Sequence, residues 1–140
     1  RIQLDVNNMN ISLDRLDDAH ETLQKEARIL LQELGDKLFQ NNDAQDTNDL
    51  LNITTNLRQL SGAALFLDAQ ILSNALKNSA EAVEHYYDIQ KSLTHQQLQH
   101  ILDVLASLEL HLDGLRYDYP IHKSVSETAL SSSQKIKAVA

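Results

Sequence analysis

The sequence predicts an all-α domain: an up-down antiparallel four-helix bundle with a short accessory N-terminal helix and a C-terminal helical tail. Apolar residues recur every three or four positions in stretches of about 20 residues, and polar segments separate these stretches. The 140 residues include only three glycines and one proline, and aromatic residues make up 4%. So few turn-forming and strand-favouring residues argue against a sandwich or a barrel.

The N-terminal third carries a long apolar stripe of alternating three- and four-residue steps, which is typical of a helix that packs along partner helices. We expect a break in this helix near residues 7–12, with Ser12 as a candidate N-cap. His20 falls on the stripe and is interpreted as a core or boundary histidine. The stripe consists of Ile2, Val6, Met9, Leu13, Leu16, His20, Leu23, Ala27, Leu30, Leu34 and Leu38.

Polar residues 41–46 form the clearest loop, and Asp46 or Thr47 is expected to cap a second helix that runs to about Leu67. Asp68 then marks a turn or kink. A third helix is expected over residues 69–90.

The best helix start in the sequence is the Thr-x-x-Gln capping box of Thr94 and Gln97. An apolar stripe follows it to about Arg116, and the only proline, Pro120, lies just beyond. We therefore assign residues 1–118 to the helical bundle and residues 119–140 to an accessory helix or linker.

Composition excludes several classes of function. The net charge is −8 and the basic residues do not cluster along the sequence, so we expect no nucleic-acid partner. No window is apolar enough to cross a membrane, and no insertion within this segment is expected. The chain has no cysteine, which excludes disulfides and thiol chemistry.

Residues 57–72 form the most distinctive stretch, because Gly62 lies inside a helical pattern among small residues. Glycine there costs about 1 kcal/mol relative to alanine. Two interpretations are open: a helix crossing at which glycine allows a neighbour to approach closely, or a bare patch where a partner docks. The candidate docking surface comprises Thr55, Arg58, Gln59, Ser61, Gly62, Ala63 and Phe66.

This stretch resembles the motif of histidine phosphotransfer (HPt) domains, which reads His-x-Leu-Lys-Gly followed by small residues. Leu60, Gly62 and the small residues match. Three positions do not: Arg58 stands at the position of the phosphoacceptor histidine, Ser61 at that of the lysine and Asp68 at that of a second glycine further along the motif. The resemblance implies an HPt-like bundle that has lost its phosphoacceptor. Similar degenerate copies occur at the N-termini of chemosensory proteins that regulate type IV pili.

No catalytic constellation is visible. The sequence has no Gly-x-Ser-x-Gly motif, no glycine-rich phosphate loop and no His-Glu-x-x-His motif. Leu102 follows His100 at the spacing of the leucine in the HPt motif. No glycine follows at the spacing of the motif's glycine, so His100 does not lie in a second copy of the motif. We expect no enzymatic activity, no cofactor and no metal.

The resemblance implies a non-catalytic docking module of bacterial two-component or chemosensory signalling. Its partner would be a response-regulator receiver domain or another signalling protein, and its location would be cytoplasmic. One alternative is a periplasmic or extracellular sensor domain of a transmembrane receptor, with membrane spans flanking this segment. A plain coiled-coil module is another, and that alternative predicts a homo-oligomer.

Overall fold

A computed structural model describes the backbone of residues 2–40, 45–117 and 123–138, and the side chains of residues 18–40, 45–117 and 123–136. These residues form five helices and contain no strand, which confirms the all-α prediction. The helices are α1 (Ile2–Gln40), α2 (Thr47–Phe66), α3 (Gln70–Asp88), α4 (His95–Tyr117) and α5 (Lys123–Ala138).

The core lies between helices that pack as neighbours. Helix α1 lies against α2 and α4, α2 lies against α3, and α5 lies against both α3 and α4. Ala129 and Ile136 of α5 are buried with the other core residues. The largest fully buried side chains are Leu34, Leu38, Leu57, Leu60, Leu67, Leu72, Leu76, Leu98, Ile101, Leu108, Leu112 and Ile136.

Both predicted helix starts have reciprocal capping boxes. At α2, the Asp49 amide donates to Asp46 Oδ1 at 2.8 Å and the Asp46 amide donates to Asp49 Oδ2 at 3.0 Å. At α4, the Gln97 amide donates to Thr94 Oγ1 at 3.2 Å and the Thr94 amide donates to Gln97 Oε1 at 2.7 Å. Each box satisfies amides that have no partner within the helix.

The expected break in the first helix is wrong, because α1 runs without interruption from Ile2 to Gln40. An asparagine inside a helix costs only about 0.7 kcal/mol relative to alanine, which is too little to end a helix by itself. At 1.5 Å per residue, α1 is roughly twice as long as α2.

The turn between α2 and α3 falls at the predicted residue. Asp68 has a left-handed backbone with φ of 60°, and the Ala69 amide donates to Ala64 O at 2.8 Å. The turn after α3 also contains a residue with a left-handed backbone, Gln90, whose φ is 54°. Residues 41–44 of the expected polar loop and residues 118–122 around Pro120 lie outside the described residues.

Buried Gln45 ties the start of α2 to the segment that precedes α4. Its Oε1 accepts from the Leu93 amide at 2.7 Å, and its backbone carbonyl accepts from Ser92 Oγ at 3.1 Å. None of the helices, as far as the structure describes them, combines the length and apolarity that crossing a membrane requires.

Candidate docking site

The outward side of α2 carries most of the residues predicted to form the docking surface. Thr55, Arg58, Gln59, Gly62 and Phe66 are exposed along one side of this helix. Leu57, Leu60 and Ala64 lie on the opposite side and are completely buried. The helical period therefore separates a core side from a solvent side, as the sequence pattern predicts.

Two of the seven predicted residues do not belong to this exposed set. Ala63 is partly buried and packs against the core. Ser61 faces α3: its Oγ donates to Ser73 O at 2.8 Å, and Ser73 Oγ donates to Ser61 O at 2.8 Å. Ser61 thus joins α2 to α3.

Two exposed leucines, which the sequence-based prediction omitted, extend the surface. Leu51 is 47% exposed and Leu65 is 58% exposed. Leu65 lies three residues after Gly62, and residues three apart are neighbours on a helix surface. That spacing places Leu65 beside the docking surface, although its apolar character is more typical of a core position.

Phe66 ends the surface at the C-terminus of α2. Its side chain is 47% exposed, and its ring centroid lies 5.4 Å from that of His20 on α1, with an interplanar angle of 41°. His20 is partly exposed, as expected of a boundary histidine. The two rings form an aromatic contact that is open to solvent on one side.

Gly62 has no packing role among the described residues. A Cβ atom built on it meets no atom within 4 Å, apart from the neighbouring helical backbone, and the residue is exposed. The interpretation of Gly62 as a close helix crossing is therefore wrong. No contact of Gly62 with the described residues offsets the helix-propensity cost of this glycine.

Arg58, on the predicted docking surface, already has a partner within the chain. Its Nη2 forms an ion pair with Glu84 Oε2 on α3, and both side chains are about half exposed. Arg58 also lines a small surface cavity of about 270 Å³ with Glu81, Glu84, His85 and Asp88. The surroundings of the guanidinium are therefore predominantly acidic.

The model of one protein family, described as the FimL C-terminal domain, matches residues 14–133 of this sequence. The chain belongs to the FimL C-terminal domain family. The matched range includes all of α2, α3 and α4 and most of α1 and α5, and it ends before the buried Ile136 of α5. No curated protein and no solved structure matches the chain.

The FimL family match agrees with the expected relation to a chemosensory protein only in part. The resemblance pointed to N-terminal copies of the HPt domain, whereas the matching family is named for a C-terminal domain. The expected position within such a protein is therefore wrong.

Five of the six histidines lie on the described helices α1, α3 and α4, and His122 lies outside the described residues. His111 Nε2 lies 3.2 Å from Leu67 O, where it joins α4 to the end of α2. Within the described residues, no three His, Cys, Asp or Glu side chains lie in a group that could hold a metal ion.

Proposed function

We propose that this chain is a non-catalytic pseudo-HPt domain that docks a protein partner in bacterial two-component or chemosensory signalling. The partner is a receiver domain of a response regulator, and the fold is an HPt-like up-down antiparallel bundle. Membership of the FimL family supports a role in type IV pilus regulation, in the cytoplasm. It also favours signalling over the alternative of an extracytoplasmic sensor domain.

The exposed Gly62 is the observation that carries this proposal. Its missing side chain leaves a bare patch of helix backbone, and a Cβ there would meet no described atom within 4 Å outside the neighbouring helical backbone. The half-exposed side chains of Leu65 and Phe66 lie one turn further along α2. A bare patch next to apolar side chains lets a partner helix approach closely and bury apolar area.

Arg58 explains why docking would occur without phosphoryl exchange. Phosphotransfer needs an imidazole nitrogen that can act as a nucleophile, whereas a guanidinium is permanently protonated and carries no free lone pair. Its pairing with Glu84 holds the side chain on the α3 side of the surface. Arg58 thus supplies a fixed charge at the edge of the docking surface and takes no part in chemistry.

Replacing Gly62 with alanine is expected to weaken binding of a receiver domain while it stabilises the free chain. The free energy of unfolding should rise by about 0.5–1 kcal/mol, because alanine is the better helix former and its Cβ meets no clash. Urea denaturation measures the stability. Titration with beryllofluoride-activated receiver domains from a type IV pilus chemosensory system measures the binding.

Gly35 provides the matched control. It also lies inside a helix, and a Cβ built on it meets nothing within 4 Å, but it belongs to α1 and not to the docking surface. Gly35→Ala should raise stability by a similar amount and leave receiver binding unchanged. Equal binding by both variants would contradict a docking role for Gly62.

The absence of phosphotransfer is tested separately. Phosphorylated receiver domains are expected to leave the native chain unlabelled, because Arg58 cannot accept the phosphoryl group. Arg58→His restores an imidazole at the same position of α2 and is expected to acquire label. Radioactive phosphate transfer, resolved by gel electrophoresis, measures both. Label on the native chain would contradict the pseudo-HPt assignment.

A further inference from the structure

A groove between α1 and α4 brings Lys25 and Arg28 of α1 together with Arg116 of α4. Its volume is about 480 Å³. Among the described residues, two arginines, one lysine and one glutamate line it, in a chain whose net charge is −8. The fold therefore brings together basic residues that form no run along the sequence. The lining residues are Glu21, Gln24, Lys25, Arg28, Leu115 and Arg116.

Arg28 is the fixed cation of this α1–α4 groove. Its Nη2 lies 3.0 Å from Asp113 Oδ1 on α4, and both side chains are largely buried, with 24% and 31% of their surfaces exposed. A guanidinium has five N–H donors, and one carboxylate accepts at most two of them. Arg28 therefore keeps donors for a second acceptor and is held in place before that acceptor arrives.

Lys25 and Arg116 are the exposed cations of the groove. Lys25 Nζ lies 3.6 Å from Glu21 Oε1 in a pair that is mostly exposed, and such pairs contribute little and exchange partners easily. The Arg116 guanidinium carbon lies 5.2 Å from the centroid of the Tyr117 ring, a cation–π contact that limits its motion. A carboxylate brought by a partner could therefore pair with both cations.

Leu115 gives the groove an apolar contact between these charges. Its side chain is 37% exposed although it lies on the same helix as buried core leucines. An isolated inorganic anion would leave this surface uncovered. A ligand that carries both carboxylates and an apolar group satisfies the cations and removes the leucine surface from water.

We propose that the α1–α4 groove binds an acidic segment of a protein partner, in which carboxylate side chains flank one apolar side chain. A small metabolite fits less well, since small-molecule sites are mostly apolar and enclose the ligand. Nucleic acid fits less well, because three cations offer few phosphate contacts on a strongly acidic chain. The groove involves α1 and α4, so this proposal does not depend on the docking surface of α2.

The test uses the whole chain, labelled with ¹⁵N, and a capped peptide with the sequence Glu-Glu-Leu-Glu-Glu. We expect amide shifts confined to residues 21–28 and 113–117, and weaker binding at higher salt. The double variant Lys25→Gln with Arg116→Gln should weaken binding by about tenfold or more. Lys77→Gln with Lys91→Gln removes the same charge from exposed positions elsewhere and should change binding less than about twofold.

Three results would overturn the proposal. Equal losses in the two double variants would mean that the peptide responds only to net charge. Equal binding of a peptide with alanine in place of leucine, or full displacement by inorganic phosphate, would mean that the groove holds a simple anion. Self-association of the native chain that the Lys25 and Arg116 substitutions abolish, measured by sedimentation equilibrium, would assign the groove to a second copy.

Discussion

Replacing Leu60 with alanine is expected to lower the free energy of unfolding by about 3–5 kcal/mol. Leu60 lies in the middle of α2 and is completely buried. The loss combines the transfer free energy of the deleted methyl and methylene groups with the cavity that the close-packed core cannot fill. Urea denaturation followed by far-UV circular dichroism measures the change.

Leu65→Ala is the matched control, because it makes the same chemical change five residues along the same helix. Leu65 is 58% exposed, so we expect a loss of no more than about 0.5 kcal/mol. Comparable losses for the two variants would mean that α2 is rotated relative to the structure. The Leu65 variant also tests binding in a folded chain, because the side chain lies beside Gly62 on the outward side.

Local signals in the sequence were sufficient to predict most of the helices. The Asp46 cap of α2 and the Thr94–Gln97 box of α4 depend on residues that are close in the sequence; the structure selects Asp46 from the two predicted caps and forms the predicted box. The predicted break near Ser12 failed because asparagine only weakens a helix. Long-range packing of α5 against α3 and α4 had no comparable local signal.

The candidate docking site could be predicted in part for the same reason. Helical periodicity placed Gly62 and Phe66 on one exposed side of α2, since that placement needs only the spacing along a single helix. It could not show that Arg58 pairs with Glu84 or that Ser61 bonds to Ser73, because those partners lie on another helix.

The cationic α1–α4 groove was missed altogether. Lys25 and Arg28 are close in the sequence, but Arg116 joins them only after α1 and α4 have packed. Counting charges along the chain therefore detects a basic run but not a basic groove. Charge clusters that form between helices require the fold before they can be recognised.

Gln97 shows how a residue with a correctly predicted local role acquires a larger one in the fold. Its Oε1 closes the capping box of α4, as the sequence predicts. Its Nε2 donates to Tyr86 Oη on α3 at 2.6 Å and to the backbone carbonyl of Ile136 on α5 at 3.0 Å. One fully buried amide thus joins three helices.

Gln97→Ala is therefore expected to lower the free energy of unfolding by about 2–4 kcal/mol, because it leaves buried donors and acceptors without partners and opens a cavity. The same variant should expose α5 to limited proteolysis before the rest of the chain, since the Ile136 carbonyl loses its donor. Mass spectrometry of the early fragments identifies the first cleavage site.

Gln99→Ala separates this buried role from the general effect of losing a glutamine in α4. Gln99 is exposed, and its Nε2 makes only a 3.3 Å contact with Asp103 Oδ1, so its replacement should cost less than about 0.5 kcal/mol. If Gln97→Ala were equally mild and α5 stayed resistant to protease, the anchoring of α5 would have to come from Ala129 and Ile136. Their burial would then hold the helix without the polar link.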